Sequence, residues 1–149
     1  MTEYTSDVKT IPYSDMDIFS VLSDLSRIEQ FRDKLPIDQL DKIKDFSCDK
    51  DSCTISVDPI GKIRFIIVDR IPNNTIKFEA EQIPFGFNLW IQLKQVAEND
   101  TKLKLTVKAD LNMFLKPMVS KPLQEGLNKM ADMLAVLPYD KINKQTPLP

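Results

Sequence analysis

The feature that most constrains this chain is a sustained alternation of apolar and polar residues between residues 42 and 109. Successive side chains of a β-strand point to opposite faces, so the alternation predicts strands with one buried and one solvated face. In TKLKLTVKADL, for example, Leu103, Leu105 and Val107 alternate with lysine and threonine. The turn-forming stretches DKDS, PNN, PFG and AEND separate such runs, which predicts six antiparallel strands in a meander.

A strand and two short helices are predicted before the meander. YTSDVKTI has a strand-like pattern, and Ser14 with Asp17 three residues later has the spacing of a helix capping box. A second short helix is predicted through SRIEQFRDKLP and ends at Pro36, because proline stops a helix. The buried stripe of this second helix comprises Ile28, Phe31 and Leu35.

One long helix is predicted after the meander, because apolar residues recur there at helical spacing. Its apolar side comprises Val119, Leu123, Leu127, Met130, Leu134 and Leu137, and its polar side comprises Lys121, Glu125, Asn128 and Asp132. Pro122 predicts either a kink or a helix start near Lys121, with the proline at the first helical position. Pro138 ends the helix, and residues 139–149 are expected to form a loose tail.

The residue types that are missing exclude several kinds of chemistry. The chain contains no histidine, so Ser-His, Cys-His and His-metal schemes are excluded. Its three glycines are isolated from one another, which removes the glycine-rich loops that cradle phosphates. The net charge of -2 predicts neither a nucleic acid nor an anionic membrane surface as a partner. We expect no cofactor and no metal site.

The length of 149 residues fits one domain, expected over residues 1–138. The N-terminus lacks a basic region followed by an apolar stretch. The longest apolar run is far shorter than the ~20 residues needed to span a bilayer. These observations predict a cytoplasmic protein that does not insert into membranes.

Three stretches, together with the order of the elements, carry a resemblance to a known superfamily. They are TIPYSDMDIFSVLSDLSRIEQF, IPFGFNLWIQLKQVAENDTKLKLTVKADL and KPMVSKPLQEGLNKMADML. The chain resembles the START-like or SRPBCC superfamily, which includes polyketide cyclase/dehydrase-like and birch-pollen-allergen-like proteins. The resemblance implies an α+β helix-grip fold, in which a strongly bent seven-stranded antiparallel sheet wraps around the C-terminal helix and two short helices connect the first two strands.

The resemblance also implies a cavity between the sheet and the C-terminal helix. We therefore expect non-catalytic binding of an apolar small molecule that is lipid-, polyketide- or quinone-like. One alternative is a cyclase- or dehydratase-type enzyme that uses an ionisable group of the cavity, with Asp45, Tyr4 and Arg70 as candidates. The missing histidine disfavours this alternative, because several enzymatic relatives use one. A second alternative is a protein-interaction module with a filled core.

The expected cavity wall combines inward-facing strand residues with methionines of the final segment. Flexible thioethers suit a wall that adapts to its ligand, and they equally suit the filling of a plain core. The expected ligand-binding residues are Phe65, Ile67, Phe78, Ala80, Leu89, Ile91, Leu105, Val107, Met113, Met118, Met130 and Met133.

Cys48 and Cys53 face each other across the predicted DKDS hairpin, which brings their Cβ atoms within disulfide range. Two reduced thiols are expected because disulfides are rare in the cytoplasm, and a redox-sensitive staple is the alternative.

Carboxylate pairs and isolated polar residues are weaker candidates for a site. Glu79 and Glu81 lie about 7 Å apart on one strand face, but the alternation places that face in solvent. Asp49 and Asp51 are expected to form the hairpin turn. Polar groups that could orient a ligand are Tyr4, Arg70, Gln82, Trp90 and Asn112.

Overall fold

The structure, a computed structural model, describes residues 1–30, 43–57 and 61–144. These residues form one antiparallel sheet with helices at both ends of the chain. The strands are β1 (Thr2–Thr5), β2 (Lys9–Ile11), β3 (Ile43–Cys48), β4 (Ser52–Val57), β5 (Gly61–Ile71), β6 (Thr75–Glu81), β7 (Phe87–Ala97) and β8 (Asp100–Ala109). The helices are α1 (Asp15–Leu22), α2 (Leu25–Gln30), α3 (Leu115–Ala135) and α4 (Tyr139–Lys144).

The predicted meander is confirmed by the order of the strands, which is β1-β8-β7-β6-β5-β4-β3, with β2 also paired to β8. The described residues contain eight strands where seven were predicted, because the first strand is interrupted after Thr5. At the interruption the Ser6 backbone N–H donates to the Leu105 carbonyl, and the Leu105 N–H donates to the Ser6 hydroxyl. A side-chain oxygen thus replaces a backbone acceptor, and the strand resumes at Lys9.

The predicted alternation separates an inner face of the sheet from a solvated one. On β7 and β8 the inward positions are buried, and Leu103, Leu105 and Val107 are at most 1% exposed. Thr106 is also buried although it lies on the outer face, and its hydroxyl donates to the side-chain oxygen of Gln92. The inner face therefore forms the core, as the period of two indicated.

The predicted start of α1 is confirmed, since the Ser14 hydroxyl accepts a hydrogen bond from the Asp17 N–H. The second helix begins at Leu25, and its Ile28 is buried as predicted. The predicted continuation of this helix through Phe31 and Leu35 to Pro36 lies outside the described residues.

The long helix α3 differs from the prediction at both ends. It begins at Leu115 and runs through Pro122, so the predicted start near Lys121 is wrong. Pro122 cannot donate to the carbonyl four residues earlier, but the chain is helical on both sides of it. The expected loose tail is also wrong for residues 139–144, which form α4 and bury Tyr139 and Ile142 completely.

Burial of these two side chains explains why the chain stays folded beyond Pro138. The Tyr139 hydroxyl donates to the Leu134 carbonyl at the end of α3, and the Tyr139 ring packs edge-on against Tyr13. The last helix thereby joins α1 and α2 to the core. Among the helices of the described ranges, none has both the length and the apolar composition needed to cross a bilayer.

Candidate functional site

One edge of α3 is attached to the N-terminal strands by a row of polar contacts. Four residues of the helix, spaced four apart and therefore on one face, each contact the segment from Tyr4 to Lys9. Ser120 shares a 2.7 Å hydrogen bond with the Tyr4 hydroxyl, and the Gln124 side chain donates to the Thr5 carbonyl. Asn128 accepts from the Asp7 N–H, and Asp132 forms an ion pair with Lys9. We call these contacts the polar ladder.

The polar ladder fixes the position of α3 against β1 and β2. The hydrogen bond from Lys9 to Asp132 raises the pKa of the lysine above its ordinary value, so the ion pair favours the charged form. Asn128 and Asp132 were predicted on the solvated side of the helix, and the structure instead places them against the sheet edge.

The other side of α3 is apolar and incompletely covered. Val119, Leu127 and Leu134 are buried, whereas Leu123 and Met130 are only half-buried although they pack against the same core. On the sheet, Phe65 and Ala80 are half-buried in the same way. Both apolar walls therefore retain accessible surface, which is the arrangement that an apolar ligand needs.

An aromatic cluster lies on the sheet wall. The rings of Phe65 and Phe87 are 5.7 Å apart in an edge-to-face arrangement, and Phe85 lies 6.4 Å from Phe87. Phe87 is buried, while Phe65 and Phe85 are half-buried. Apolar faces and polarised ring edges at this spacing can hold an apolar or aromatic molecule.

A disulfide closes the end of this wall. Cys48 and Cys53 are bonded to each other, so the expected pair of reduced thiols is wrong for this structure. The two residues are direct partners across β3 and β4, and Cys53 is in register with Phe65 of β5. Directly opposed residues share one face of the sheet, so the disulfide lies on the inner face beside the aromatic cluster.

The structure brings together all but two of the predicted ligand-binding residues. Ile67, Phe78, Leu89, Ile91, Leu105, Val107 and Met133 are buried in one core cluster, and Phe65, Ala80 and Met130 pack half-buried against it. Met113 and Met118 are 89% and 62% exposed. Their expected place in an interior wall is wrong, because Met113 lies in the loop before α3 and Met118 lies on an exposed side of the first turn of the helix.

The isolated polar candidates mostly have structural partners. Arg70 donates to the Ser23 carbonyl and pairs with Asp51 at 2.5 Å. The Asn112 side chain accepts from the N–H groups of residues 114 and 115, and so caps the start of α3. Gln82 lies exposed in a turn at a positive φ of 68°. Trp90 lies on the outer face, with the amino groups of Lys77 and Lys108 over its ring.

The predicted acidic pairs lie outside the inner face. Glu79 and Glu81 are exposed as expected, and Glu81 pairs with Arg64 at 3.2 Å. Asp49 forms the predicted turn by accepting from the N–H groups of Asp51 and residue 52.

Three further side chains have shifted pKa values, and each shift has a structural cause. The hydrogen bond from the Ser52 hydroxyl lowers the pKa of Asp49 below its usual range. Burial raises the pKa of Tyr13, with Asp140 adding to the effect, and burial strongly raises the pKa of Tyr139. In the described part of the chain, no three His, Cys, Asp or Glu side chains gather to hold a metal ion.

Comparisons with known proteins agree with this architecture. No protein-family profile matches the sequence, and no curated protein matches it. Among solved structures, a START superfamily protein from Mycobacterium smegmatis is similar over 97% of this chain and 99% of its own, with 16% identity and a TM-score of 0.65. A protein from Thermus thermophilus matches over 98% of this chain and 100% of its own, with 14% identity and a TM-score of 0.63.

The chain has a START-like fold. The Aha1 dimer from Colwellia psychrerythraea has a related structure, with 21% identity, a TM-score of 0.51, and coverage of 91% of this chain and 98% of that one. At these identities the likeness concerns the fold, and the predicted α+β helix-grip architecture is confirmed.

Within the START-like fold, sequence reasoning missed Phe85 and the polar ladder. The alternation did predict Phe87 on the inner face with Leu89, as the structure shows, but Phe87 was not included among the ligand-binding residues. Phe85 lies in the loop between β6 and β7, where no periodicity applies, and only the structure places it beside Phe87. The polar ladder was missed because each of its bonds joins residues more than 115 positions apart.

Proposed function

We propose that this chain binds an apolar small molecule, without catalysis, between the inner face of β5–β7 and the apolar side of α3. The observation that carries the proposal is the incomplete burial of large apolar side chains on both walls. A fully packed core would cover Phe65, Phe85, Leu123 and Met130, but each of them is half-buried.

The lining chemistry supports a ligand that is lipid-, polyketide- or quinone-like. The lining residues are predominantly aliphatic and aromatic, and such surfaces select molecules by apolar area and shape. The thioether of Met130 and the half-buried rings can adjust to different ligand outlines. The proposed binding domain comprises residues 1–138, as predicted from the sequence, together with α4, whose Tyr139 and Ile142 belong to the same core.

A cyclase- or dehydratase-type reaction receives less support from the contacts. Such a reaction needs an ionisable group that faces the ligand. The Tyr4 hydroxyl is engaged by Ser120, and the Arg70 guanidinium is engaged by Asp51 and the Ser23 carbonyl. A reaction would require Tyr4 or Arg70 to leave these partners and face the ligand, whereas binding alone would not.

A cytoplasmic location is part of the proposal, although the disulfide between Cys48 and Cys53 is of a kind that persists mainly in oxidising compartments. Fractionation of native cells tests the location. We expect the protein to appear with cytosolic markers, and its recovery with secreted or envelope proteins would contradict this part of the proposal.

The binding proposal can be tested by titration with a fluorescent long-chain fatty acid and by native mass spectrometry of the purified protein. We expect saturable binding of one molecule, weakened about tenfold by Phe65→Ala, because the lost ring contact is worth about 1–2 kcal/mol. Ile66→Ala is the matched control, since Ile66 is the next residue along β5 and is in register with Glu79 on the outer face.

Two results would contradict the proposal. One is the absence of saturable fatty-acid binding to the intact protein. The other is equal weakening by Phe65→Ala and Ile66→Ala, which would place the bound probe outside the inner face. Circular dichroism of both variants verifies that they remain folded.

A further inference from the structure

Three large apolar side chains are exposed together at the start of α3. Met113 and Phe114 are 89% and 83% exposed, and Met118 is 62% exposed. Phe114 and Met118 are four residues apart and therefore share one helix face. Isolated exposed apolar residues are common on protein surfaces, but clustered ones indicate an interaction site.

A fourth exposed side chain, that of Met1 before β1, lies at the same end of the sheet as the loop that leads into α3. Asp110 donates its N–H to the Gly86 carbonyl, which joins this loop to the β6–β7 loop. Met1 is 71% exposed, and its Cε atom would lie 3.7 Å from a Cβ placed on Gly86. We call Met1, Met113, Phe114 and Met118 the apolar tip.

The charges around the apolar tip are mainly positive. Residues 110–124 include Lys116 and Lys121, and Asp110 is the one carboxylate among them. Both lysines are exposed, and the first turn of α3 contains no acidic residue. The net charge of -2 for the whole chain therefore hides a local excess of positive charge beside the most exposed apolar residues.

We propose that the apolar tip docks peripherally on an anionic lipid bilayer. Phe114 and Met118 enter the boundary between headgroups and acyl chains, and the amino groups of Lys116 and Lys121 contact lipid phosphates. Apolar and aromatic side chains flanked by lysine are the combination that binds membrane interfaces. Lysine can keep its charge at the headgroups while its methylene chain lies along the apolar region.

A second copy of this chain matches the tip less well. A two-fold symmetric contact places the same patch on both sides of the interface, so Lys116 and Lys121 of one copy would approach those of the other. The lipid surface supplies the opposite charge instead. This inference goes beyond the proposed function and stands whether or not the inner face holds a ligand.

Flotation of the intact protein with vesicles tests the inference. The vesicles contain equal amounts of phosphatidylcholine and phosphatidylglycerol, and vesicles of phosphatidylcholine alone serve for comparison. We expect Phe114→Ser combined with Met118→Ser to weaken partitioning at least about tenfold, because two apolar side chains no longer leave water. Met16→Ser is the matched control, since Met16 on α1 is also 62% exposed, and it should leave partitioning unchanged.

Exchange of Lys116 and Lys121 for glutamine should weaken binding to the anionic vesicles and reduce its dependence on salt. Absence of binding by the unaltered protein, or equal losses with Met16→Ser, overturns the inference. So does a protein that ignores vesicles but forms a concentration-dependent dimer lost in the Phe114→Ser/Met118→Ser variant. Fatty-acid titration of that variant should be unchanged, which separates this inference from the proposed ligand site.

Discussion

The two sides of α3 are built from different kinds of contact. Toward β1 and β2 the helix is attached by the polar ladder, whereas its apolar side carries half-buried Leu123 and Met130. Hydrogen bonds have narrow limits of distance and angle, but apolar contacts are non-directional. One side therefore determines where the helix lies, while the other can change its packing without moving the helix.

The largest loss of stability should come from truncating a core side chain of β8, the strand that pairs with β1 and β2. Leu105 is fully buried, so Leu105→Ala should lower the free energy of unfolding by about 2–5 kcal/mol. Phe65→Ala removes a half-buried ring and should cost about 1–2 kcal/mol, because less apolar area leaves water. Urea denaturation measures both values, and a Phe65→Ala loss as large as that of Leu105→Ala would mean that the two sides are equally closed.

Removal of the disulfide should have the next largest effect. The bond links residues five positions apart, and the chain-entropy relation for so short a loop gives a loss of about 2 kcal/mol for the double variant Cys48→Ala/Cys53→Ala. Urea denaturation with and without dithiothreitol provides the measurement. Reductant should destabilise the unaltered protein and leave the double variant unchanged; an equal response of both would mean that the bond contributes nothing.

A single bond of the polar ladder should contribute less. The hydroxyls of Tyr4 and Ser120 lie 2.7 Å apart and partly buried, so Tyr4→Phe should lower the free energy of unfolding by about 1 kcal/mol. Ser120→Ala should cost a similar amount, and the double variant should cost little more than either single change. Additive losses in this double-mutant cycle would show that the two hydroxyls do not interact.

The smallest effects on stability should appear at the extremes of pH. The polar ladder should lose stability at alkaline pH, and the β3–β4 hairpin should lose it at acid pH. The pKa of Lys9 is raised by its hydrogen bond to Asp132, so the ladder contribution is complete below about pH 10.4 and is lost as the pH rises through the folded value. The pKa of Asp49 is lowered by Ser52, so the hairpin contribution is present above about pH 3.9 and is lost on acidification.

The midpoint of thermal unfolding, measured across the pH range, tests the predicted direction of each pH effect. Lys9→Met should remove part of the alkaline decline in Tm and leave the acid limb unchanged. Asp49→Asn should remove part of the acid decline and leave the alkaline limb unchanged. If Lys9→Met changed the acid limb and Asp49→Asn changed the alkaline limb, the two pKa shifts would have been assigned to the wrong residues.

Much of the fold could be predicted from local patterns, because strand alternation and helix periodicity are encoded within short windows. The alternation of Leu103, Leu105 and Val107 and the cap at Ser14 are both present in the structure. The errors concern contacts between distant parts of the chain. Tyr139 is held by α1 and the end of α3, and no local pattern distinguishes such a segment from a tail.

The candidate site was less predictable than the fold. Inner-face strand residues follow from the alternation, but half-burial of Phe65 and of Met130 depends on how closely the helix approaches the sheet. Exposure of Met113 depends on where α3 begins, and the position of Pro122 indicated a later start. Facing cysteines follow from the hairpin register, whereas the bond between them depends on redox conditions that the pattern does not contain.

The polar ladder has a consequence for the order in which the chain is assembled. Tyr4 and Ser120 are 116 residues apart, so synthesis at about 5–20 residues per second separates them by roughly 6–23 s. The meander strands find their partners among close neighbours in sequence, but β1 and β2 need β8 and then α3. β1 and β2 are made before the meander and are therefore among the last strands to reach their native neighbours. Until β8 has been made they have no partner strand, and their own free edges are at risk of pairing with another chain.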